Sequence, residues 1–159
     1  MLIKNKKILV TGGAGFIGGN LVKSLRDQNN EIIILDNLFS SQKYNVVKGE
    51  DITFLNYSIL DVGQLKKHLH DVDVVFHLAA NASVPYSVEH PLLDFRINAY
   101  GTMVLLDMLR HTNVESILFA SSAAVYGNPK YSPMDESHPT RPVSPYGASK
   151  LAAETAGFV

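Results

Sequence analysis

The sequence predicts an α/β protein built on a doubly wound parallel sheet with helices on both faces. Three observations predict it. Short runs that are apolar at every position alternate with segments whose apolar residues recur at helical spacing. Strands that are apolar on both sides belong to sheets covered on both faces, and strands separated by helices pair in parallel. A glycine-rich turn stands between the first strand and the first helix, a place where such sheets bind phosphates.

The elements follow in order. Lys7 to Thr11 is a buried-strand run that ends in glycines. From Gly15 to Gln28 the residues Ile17, Leu21, Val22 and Leu25 recur at helical spacing, and Asn29-Asn30 stops that helix. Ile32 to Leu35 and Ile52 to Leu55 are the second and third strands. Asp61 is a good N-cap for a short helix to about Leu69, and Val74 to Leu78 is the fourth strand. A long helix is expected from Pro91, which suits a first turn, to about Arg110. Its apolar stripe is Ile97, Gly101, Val104, Leu105, Met108 and Leu109. Ser116 to Ala120 is the fifth strand. The segment from Tyr126 to Pro145 carries Pro129, Pro133, Pro139, Pro142 and Pro145 and should be irregular. A last helix starts near Pro145 and is expected to run on to Val159. Five strands in this order are those of a Rossmann sheet. The whole of residues 1–159 is expected to form one Rossmann domain.

Composition excludes several function classes. A formal net charge of −1 gives no electrostatic case for nucleic acid or an anionic membrane surface. No apolar run reaches the roughly 20 residues of a membrane span, and the basic start leads into a strand rather than a signal-peptide core. With 46% hydrophobic and 18% charged residues the chain is an ordinary globular one, read as soluble and cytoplasmic. It has no cysteine, so disulfide and thiolate chemistry are absent. The histidines show no metal-ligand spacing, so no metal is expected. His77, inside a strand, is expected to be a core histidine.

Two constellations carry chemistry. Gly12, Gly15 and Gly18 are spaced for a tight turn, close backbone approach to a pyrophosphate and close helix–strand packing. The helix that follows offers free N–H groups to phosphate. Asp36, 18 residues after Gly18 at the end of the second strand, can accept both hydroxyls of an adenosine ribose and would repel a 2′-phosphate. That favours NAD over NADP. Tyr146 and Lys150 are spaced i, i+4 on one face of the last helix. An ammonium beside a phenol favours the phenolate, as does oxidised nicotinamide, and so makes a base of a group whose ordinary pKa is about 10. Ser121-Ser122 follows the fifth strand and supplies a hydroxyl at the carboxyl end of the sheet.

Together these motifs resemble the extended short-chain dehydrogenase/reductases. The matching segments are Gly12-x-x-Gly15-x-x-Gly18, Asp36-Asn37-Leu38, His77-Leu78-Ala79-Ala80, Ser121 to Gly127 and Ser144-Pro145-Tyr146-x-x-x-Lys150. Among them the chain is most similar to the NAD-dependent epimerase/dehydratase family, on the side of the UDP-glucose 4-epimerases. The resemblance implies Tyr146 as base, Lys150 as the group that binds the nicotinamide ribose and tunes Tyr146, and Ser122 as hydrogen-bond partner of the reacting oxygen. It implies that Gly12, Gly15, Phe16, Ile17 and Gly18 hold the pyrophosphate. Asp36, Asn37, Leu38, Ser40, Ser41, Ser58 and Ile59 would serve the adenosine half. Leu78, Ala79, Ala80 and Ser121 would line the cofactor cleft, and Asn98 would support the site from behind. Ser83 and Val84 would meet the substrate. Ser58 stands where relatives often have Asp, and Ala82 where some 4-epimerases have Lys, so the segment Asn81 to Pro85 points to branches that include hexuronate and N-acetylhexosamine epimerases.

The residues after Ser122 select among sister reactions. Dehydratases and decarboxylating relatives place acids there, whereas this chain has Ala123 and Ala124, which transfer no proton. The expected reaction is therefore epimerisation of a UDP-hexose through transient oxidation at C4. The alternatives are an NAD-binding module without turnover and a simple alcohol or sterol dehydrogenase. In this family the helices at 91–110 and 145–159 commonly form a dimer interface, so a homodimer is expected. The C-terminal substrate-binding part of such enzymes is not in the sequence, and the chain is read as truncated before it.

Overall fold

The computed structural model describes residues 3–41 and 43–157. They form two compact units, one of Met1–Ala79 with Val104–Ala120 and the other of Ala80–Met103 with Ser121–Val159.

The first unit is the sheet. Its strands are β1 (Lys7–Thr11), β2 (Glu31–Leu35), β3 (Ile52–Leu55), β4 (Val74–His77) and β5 (Ser116–Phe119). All pair in parallel, in the order β3-β2-β1-β4-β5. The order turns back between β1 and β4, the switch point where open α/β sheets bind ligands. Alternation along each strand fills two separate cores. Leu9, Ile33, Leu35 and Val75 point to one face, under Leu65, Leu69, Leu105 and Leu109. Ile8, Val10, Ile32, Ile34, Val74 and Phe76 point to the other, under Val22 and Leu25 of helix α1 (Phe16–Arg26). Helices therefore cover both faces, as the uniformly apolar strands required.

One expectation about the strands fails. β5 reads as a covered strand, yet Ile117 and Leu118 are 39% and 46% exposed. Its apolar residues need neighbours on the far side, and among the described residues β5 pairs only with β4.

The helix ends have local causes. After α1 the backbone turns left-handed at Asn29, with φ 60°, a conformation Asn tolerates better than most residues. Asn30 then locks the turn. Its side chain donates to the carbonyls of Leu25 (2.8 Å) and Ile3 (3.0 Å) and accepts from the Lys6 N–H (3.0 Å). Helix α2 (Val62–Leu65) continues as a 3₁₀ turn over Lys66–His68. Asp61 precedes it as expected, but its carboxylate does not cap the helix. It accepts instead from the N–H of Ser58 at 2.9 Å, so a nearer donor in the preceding turn wins over the helix N–H groups.

In the second unit, α3 (Val84–Glu89) is a helix not expected from the sequence. Pro85 sits in the first turn, where its missing N–H costs nothing, and the Ser83 hydroxyl caps the Tyr86 N–H. The expected long helix from Pro91 is three pieces: α4 (Pro91–Phe95), a π-helical turn over Arg96–Tyr100, and α5 (Gly101–Leu109). Such π turns inside helices are frequent at functional sites. Helix α6 (Pro145–Ala156) closes the unit, and positions 158–159 of the expected helix lie outside the described residues. The proline-rich segment between Tyr126 and Pro145 is irregular, and buried His138 organises it. Its Nε2 accepts from the Lys130 N–H at 2.9 Å, so its Nδ1 carries the proton toward the Pro139 carbonyl at 3.0 Å. Tyr126 packs edge-on against its ring. Among the described residues no helix is long and apolar enough to cross a membrane.

Asn30 is 2% exposed and joins three segments of the first unit. Replacing it by Ala removes three hydrogen bonds and strips the Ile3 carbonyl and the Lys6 N–H of this partner, while the Leu25 carbonyl keeps the Gln28 N–H. Asn30→Ala should therefore cost ~2 kcal/mol, read from urea denaturation.

Candidate functional site

The glycine turn of the first unit separates structural from ligand-directed glycines. Gly12 has φ +71°, and a Cβ there would lie 2.8 Å from Ala79 N and Leu78 C. Gly18 packs its Cα against the Gly12 carbonyl so closely that a side chain would overlap it. Packing within the protein thus requires both. Gly15 differs: a Cβ would meet Gly12 O at 3.2 Å and the Ser41 hydroxyl at 4.0 Å, and otherwise open space. Gly15 is also the N-cap of α1, with no side-chain hydrogen bond to the helix N–H groups and no acid in the first turn. The positive end of an 11-residue helix is left uncapped beside a space that only glycine keeps open, which fits a phosphate. Phe16 and Ile17 are 89% and 66% exposed, so their side chains lie outside the core while their backbone forms this first turn.

Asp36 is 9% exposed, and its carboxylate accepts from the N–H of Ala14 (3.0 Å) and of Leu38 (2.8 Å). One oxygen thereby ties the end of β2 to the glycine turn. Leu38 takes φ 58° to allow the second bond. Asn37 bonds the Phe39 N–H at 3.1 Å and is exposed, as is Ser40, while Ser41 is half-buried. The Ser58 hydroxyl accepts from the Leu60 N–H at 3.2 Å. Ile59 is 5% exposed and belongs to the core, which leaves its backbone as the part able to meet a ligand.

At the end of β4, Leu78 and Ala79 donate their N–H groups to the Thr11 hydroxyl at 3.2 and 3.1 Å. With both acceptor positions of that oxygen filled, its proton points to His77 Nδ1, 2.7 Å away. His77 is a satisfied core histidine, as expected, 2% exposed and packed near Phe119.

The second unit carries the proton-transfer candidates. Tyr146 and Lys150 stand one turn apart on α6. Ser144 caps α6 by accepting from the Gly147 N–H at 3.1 Å, and Ser87 of α3 accepts from the Tyr146 N–H at 3.1 Å. Gly147 lets α6 approach the turn that follows Ser122, since a Cβ there would stand 2.5 Å from the Ala124 carbonyl oxygen. The Ser122 hydroxyl caps that turn by accepting from the Ala124 N–H at 3.2 Å, which leaves its proton to donate. Ser121 is exposed and Ala80 half-buried. Ser83 spends its hydroxyl as the cap of α3, and Val84 is 40% exposed.

Lys150 is 3% exposed. Burial pushes its ammonium down to about 8, against the pull of the Glu154 and Asp94 carboxylates.

Behind these residues lies a buried polar network that sequence reasoning largely missed. Asp94 has no exposed surface. It accepts from Ser149 Oγ (2.6 Å), Asn81 Nδ2 (2.9 Å) and Asn98 Nδ2 (3.1 Å). Asn98, in the π turn, also accepts from the Asn81 N–H at 2.8 Å and donates toward Asn81 O and Ser149 Oγ, both at 3.1 Å. Its side chain is spent in this network and 1% exposed, which fits support from behind rather than contact with a ligand. The motifs in the sequence do not point to Asp94, Ser149 or Ser87, and Asn81 enters only as part of the segment Asn81 to Pro85. A signal existed: Asp94 and Asn98 are polar at i, i+4 on the buried side of a helix. Among the described residues no group of three His, Asp or Glu is placed to hold a metal ion.

Residues 8–157 match the model of the NAD dependent epimerase/dehydratase family. The chain is 48% identical over 149 residues to a protein of Methanocaldococcus jannaschii, covering 92% of this chain and 48% of the relative. It is 43% identical to the UDP-glucose 4-epimerase of Halalkalibacterium halodurans, covering 92% and 44%. Among solved structures it is similar to the UDP-N-acetylglucosamine 4-epimerase of Methanobrevibacter ruminantium in complex with UDP-N-acetylmuramic acid. The TM-score is 0.91 at 40% identity, over 96% of this chain and 49% of that one. It is also similar to the UDP-glucose 4-epimerase of Brucella ovis in complex with NAD, with a TM-score of 0.88 at 38% identity over 94% and 46%. The chain spans about half the length of the curated relatives it matches.

Two outcomes are expected. Gly18→Ala and Gly147→Ala should each destabilise by ~2 kcal/mol through overpacking, whereas Gly15→Ala should cost less than ~1 kcal/mol in urea denaturation. Lys150 has a folded pKa below its unfolded value, so between pH 8 and about 10.5 the unfolded chain holds the extra proton. Raising the pH through that window should stabilise the protein relative to Lys150→Met, measured as the difference in unfolding free energy at pH 7.5 and pH 10.

Proposed function

Because the chain belongs to the NAD dependent epimerase/dehydratase family, we propose that residues 1–159 are the NAD-binding domain of a UDP-sugar 4-epimerase and carry its proton-transfer residues. The observation that supports this most is the second unit's geometry: Tyr146 and Lys150 one turn apart on α6, with Gly147 drawing that helix against the turn capped by Ser122.

NAD is the cofactor. The uncapped N-terminus of α1 and the open space at Gly15 suit its pyrophosphate. Asp36 and Asn37, with Leu38, Ser40, Ser41, Ser58 and Ile59 around them, would hold the adenosine half. Gly12 and Gly18 shape the turn, and Leu78, Ala79, Ala80 and Ser121 would also serve the cofactor. When bound, NAD supplies the hydride acceptor for transient oxidation of the sugar at C4 and the donor that reverses it.

The chain's own residues manage the protons. Tyr146, half-buried and with no hydrogen bond to its phenol oxygen among the described residues, takes the proton of the C4 hydroxyl. Lys150 favours the phenolate by its charge. Ser122 donates its free proton to the reacting oxygen and steadies it as the carbonyl forms. Ala123 and Ala124 supply no acid, so neither water nor carbon dioxide is expelled, and the ketone can only be reduced again. Ser83 and Val84 would meet the sugar nucleotide, a UDP-hexose.

A homodimer is part of this reading. Leu92 (87% exposed), Phe95 (47%), Tyr100 (58%) and Met103 (54%) place apolar surface along residues 91–110, and α6 would complete the interface.

Four measurements test the proposal. Gly15→Ala should weaken NAD binding at least about tenfold in calorimetry, ~1.4 kcal/mol, while the protein stays folded. In a protein carrying the full length shared by the relatives, UDP-galactose should be converted without build-up of NADH. Net NADH would favour a dehydrogenase instead. Tyr146→Phe in the same protein should remove turnover by a factor of at least about 100 and spare NAD binding. Light scattering should give the mass of two copies.

A further inference from the structure

The proton chemistry above has no use for Asp94, although it is the most completely buried charge of the second unit. We propose that Asp94 is a positioning residue for Lys150: its buried carboxylate, together with that of Glu154, holds the Lys150 side chain as an ammonium ion inside the second unit.

The hydrogen bonds of Asp94 do not by themselves call for a charge. One oxygen accepts from the amide nitrogens of Asn81 and Asn98, and a neutral amide oxygen would accept them equally well. The other accepts from Ser149 Oγ at 2.6 Å. An amide nitrogen in its place would donate to Ser149 Oγ. The serine proton would then turn to the Tyr146 carbonyl, which it already reaches at 2.9 Å. An asparagine would therefore satisfy every partner. A carboxylate held where no water reaches costs several kcal/mol more than an amide unless a positive charge offsets it.

The positive charge within its influence is Lys150, 3% exposed on α6. The charges that act on Lys150 are Glu154, one turn further along α6 and half-buried, and Asp94 on α4. Helix α3, which also packs on α6, carries Tyr86 and Glu89 and is followed by His90, whose ring meets that of Tyr86 at a tilt. Tyr146 lies one turn before Lys150. Lys150 is thus under the influence of two carboxylates, one on its own helix and one on α4. Ser149, the residue before Lys150, is hydrogen-bonded to the same Asp94, so a single side chain fixes both the charge and the backbone position of the lysine. If Lys150 tunes Tyr146 as proposed above, Asp94 sets how far into the alkaline range that tuning persists; the hold on Lys150 itself does not depend on that reading.

The test follows the Lys150 titration directly, in the protein without cofactor or substrate. The ¹³Cε resonance of Lys150, assigned by its loss in Lys150→Met, is titrated by NMR in the wild type, Asp94→Asn, Glu154→Gln and the double variant. Asp94→Asn should fold with an unchanged circular dichroism spectrum, and its Lys150 midpoint should fall by about half a pH unit or more. Glu154→Gln should lower the midpoint too, and the double variant should lower it furthest. A folded Asp94→Asn with an unmoved Lys150 midpoint would overturn the proposal. So would an Asp94→Asn that fails to fold, because the charge would then serve the fold rather than the lysine. Both outcomes are independent of whether the full-length protein epimerises a sugar.

Discussion

A carboxylate that no water reaches must draw its hydrogen bonds from the chain around it, and in the second unit that demand falls on Asp94. Its three donors come from the segment after β4, the π turn and α6. Each donor is itself pinned: Asn81 through its N–H to Asn98, and Ser149 through its proximity to the Tyr146 carbonyl. The π turn belongs to this requirement. It holds Asn98 beside Asp94 while the Thr102 hydroxyl takes up the Asn98 carbonyl. A network with every member satisfied is rigid, because loosening one bond leaves a buried polar group unpaired. The helix that bears Tyr146 and Lys150 is held by this polar lattice as much as by apolar packing.

The first unit solves a different problem, that of bringing backbone to backbone. β1 lies at the middle of the sheet because Ile8, Leu9 and Val10 can be buried on both faces. At its end Gly12 must turn against the end of β4, and Thr11 stabilises the same place by taking two N–H groups from Leu78 and Ala79. Asp36 then draws the end of β2 to Ala14. Three strand ends are thereby gathered around an uncapped helix N-terminus. Gly12 and Gly18 serve the protein's own packing, while the space at Gly15 is kept for something else.

Burial and chemistry pull against each other at Lys150. Withdrawing the ammonium from water lowers its pKa to about 8 and costs stability at neutral pH. Such a cost is common at sites where a group must be poised near the working pH. Exposed apolar surface tells a related story. Ile117 and Leu118 on β5, and Leu92, Tyr100 and Met103 on the second unit, are more than a third exposed. The relatives matched by this chain are about twice its length.

Local pattern was enough to read the strands, α1, the glycine turn and the Tyr146–Lys150 spacing. These depend on dihedral preferences and on which neighbours in sequence are apolar, and both are written residue by residue. The parallel order followed from the alternation of strands with helices. What the sequence could not convey is carried by partners far apart in the chain. Asp94 meets Ser149 across 55 residues, and Asn98 meets Ser149 across 51. Nothing in the local pattern of a lone Asp, Asn or Ser says that such a contact exists. Local competition misled in one place: Asp61 reads as a cap, but its carboxylate is taken by the Ser58 N–H. The exposure of β5 and the π turn belong to the same class. Sequence alone determined the fold class and the spacing of the candidate residues, because local geometry suffices for both. Tertiary structure alone decided what holds those residues still, because a buried polar network exists only once distant segments have met.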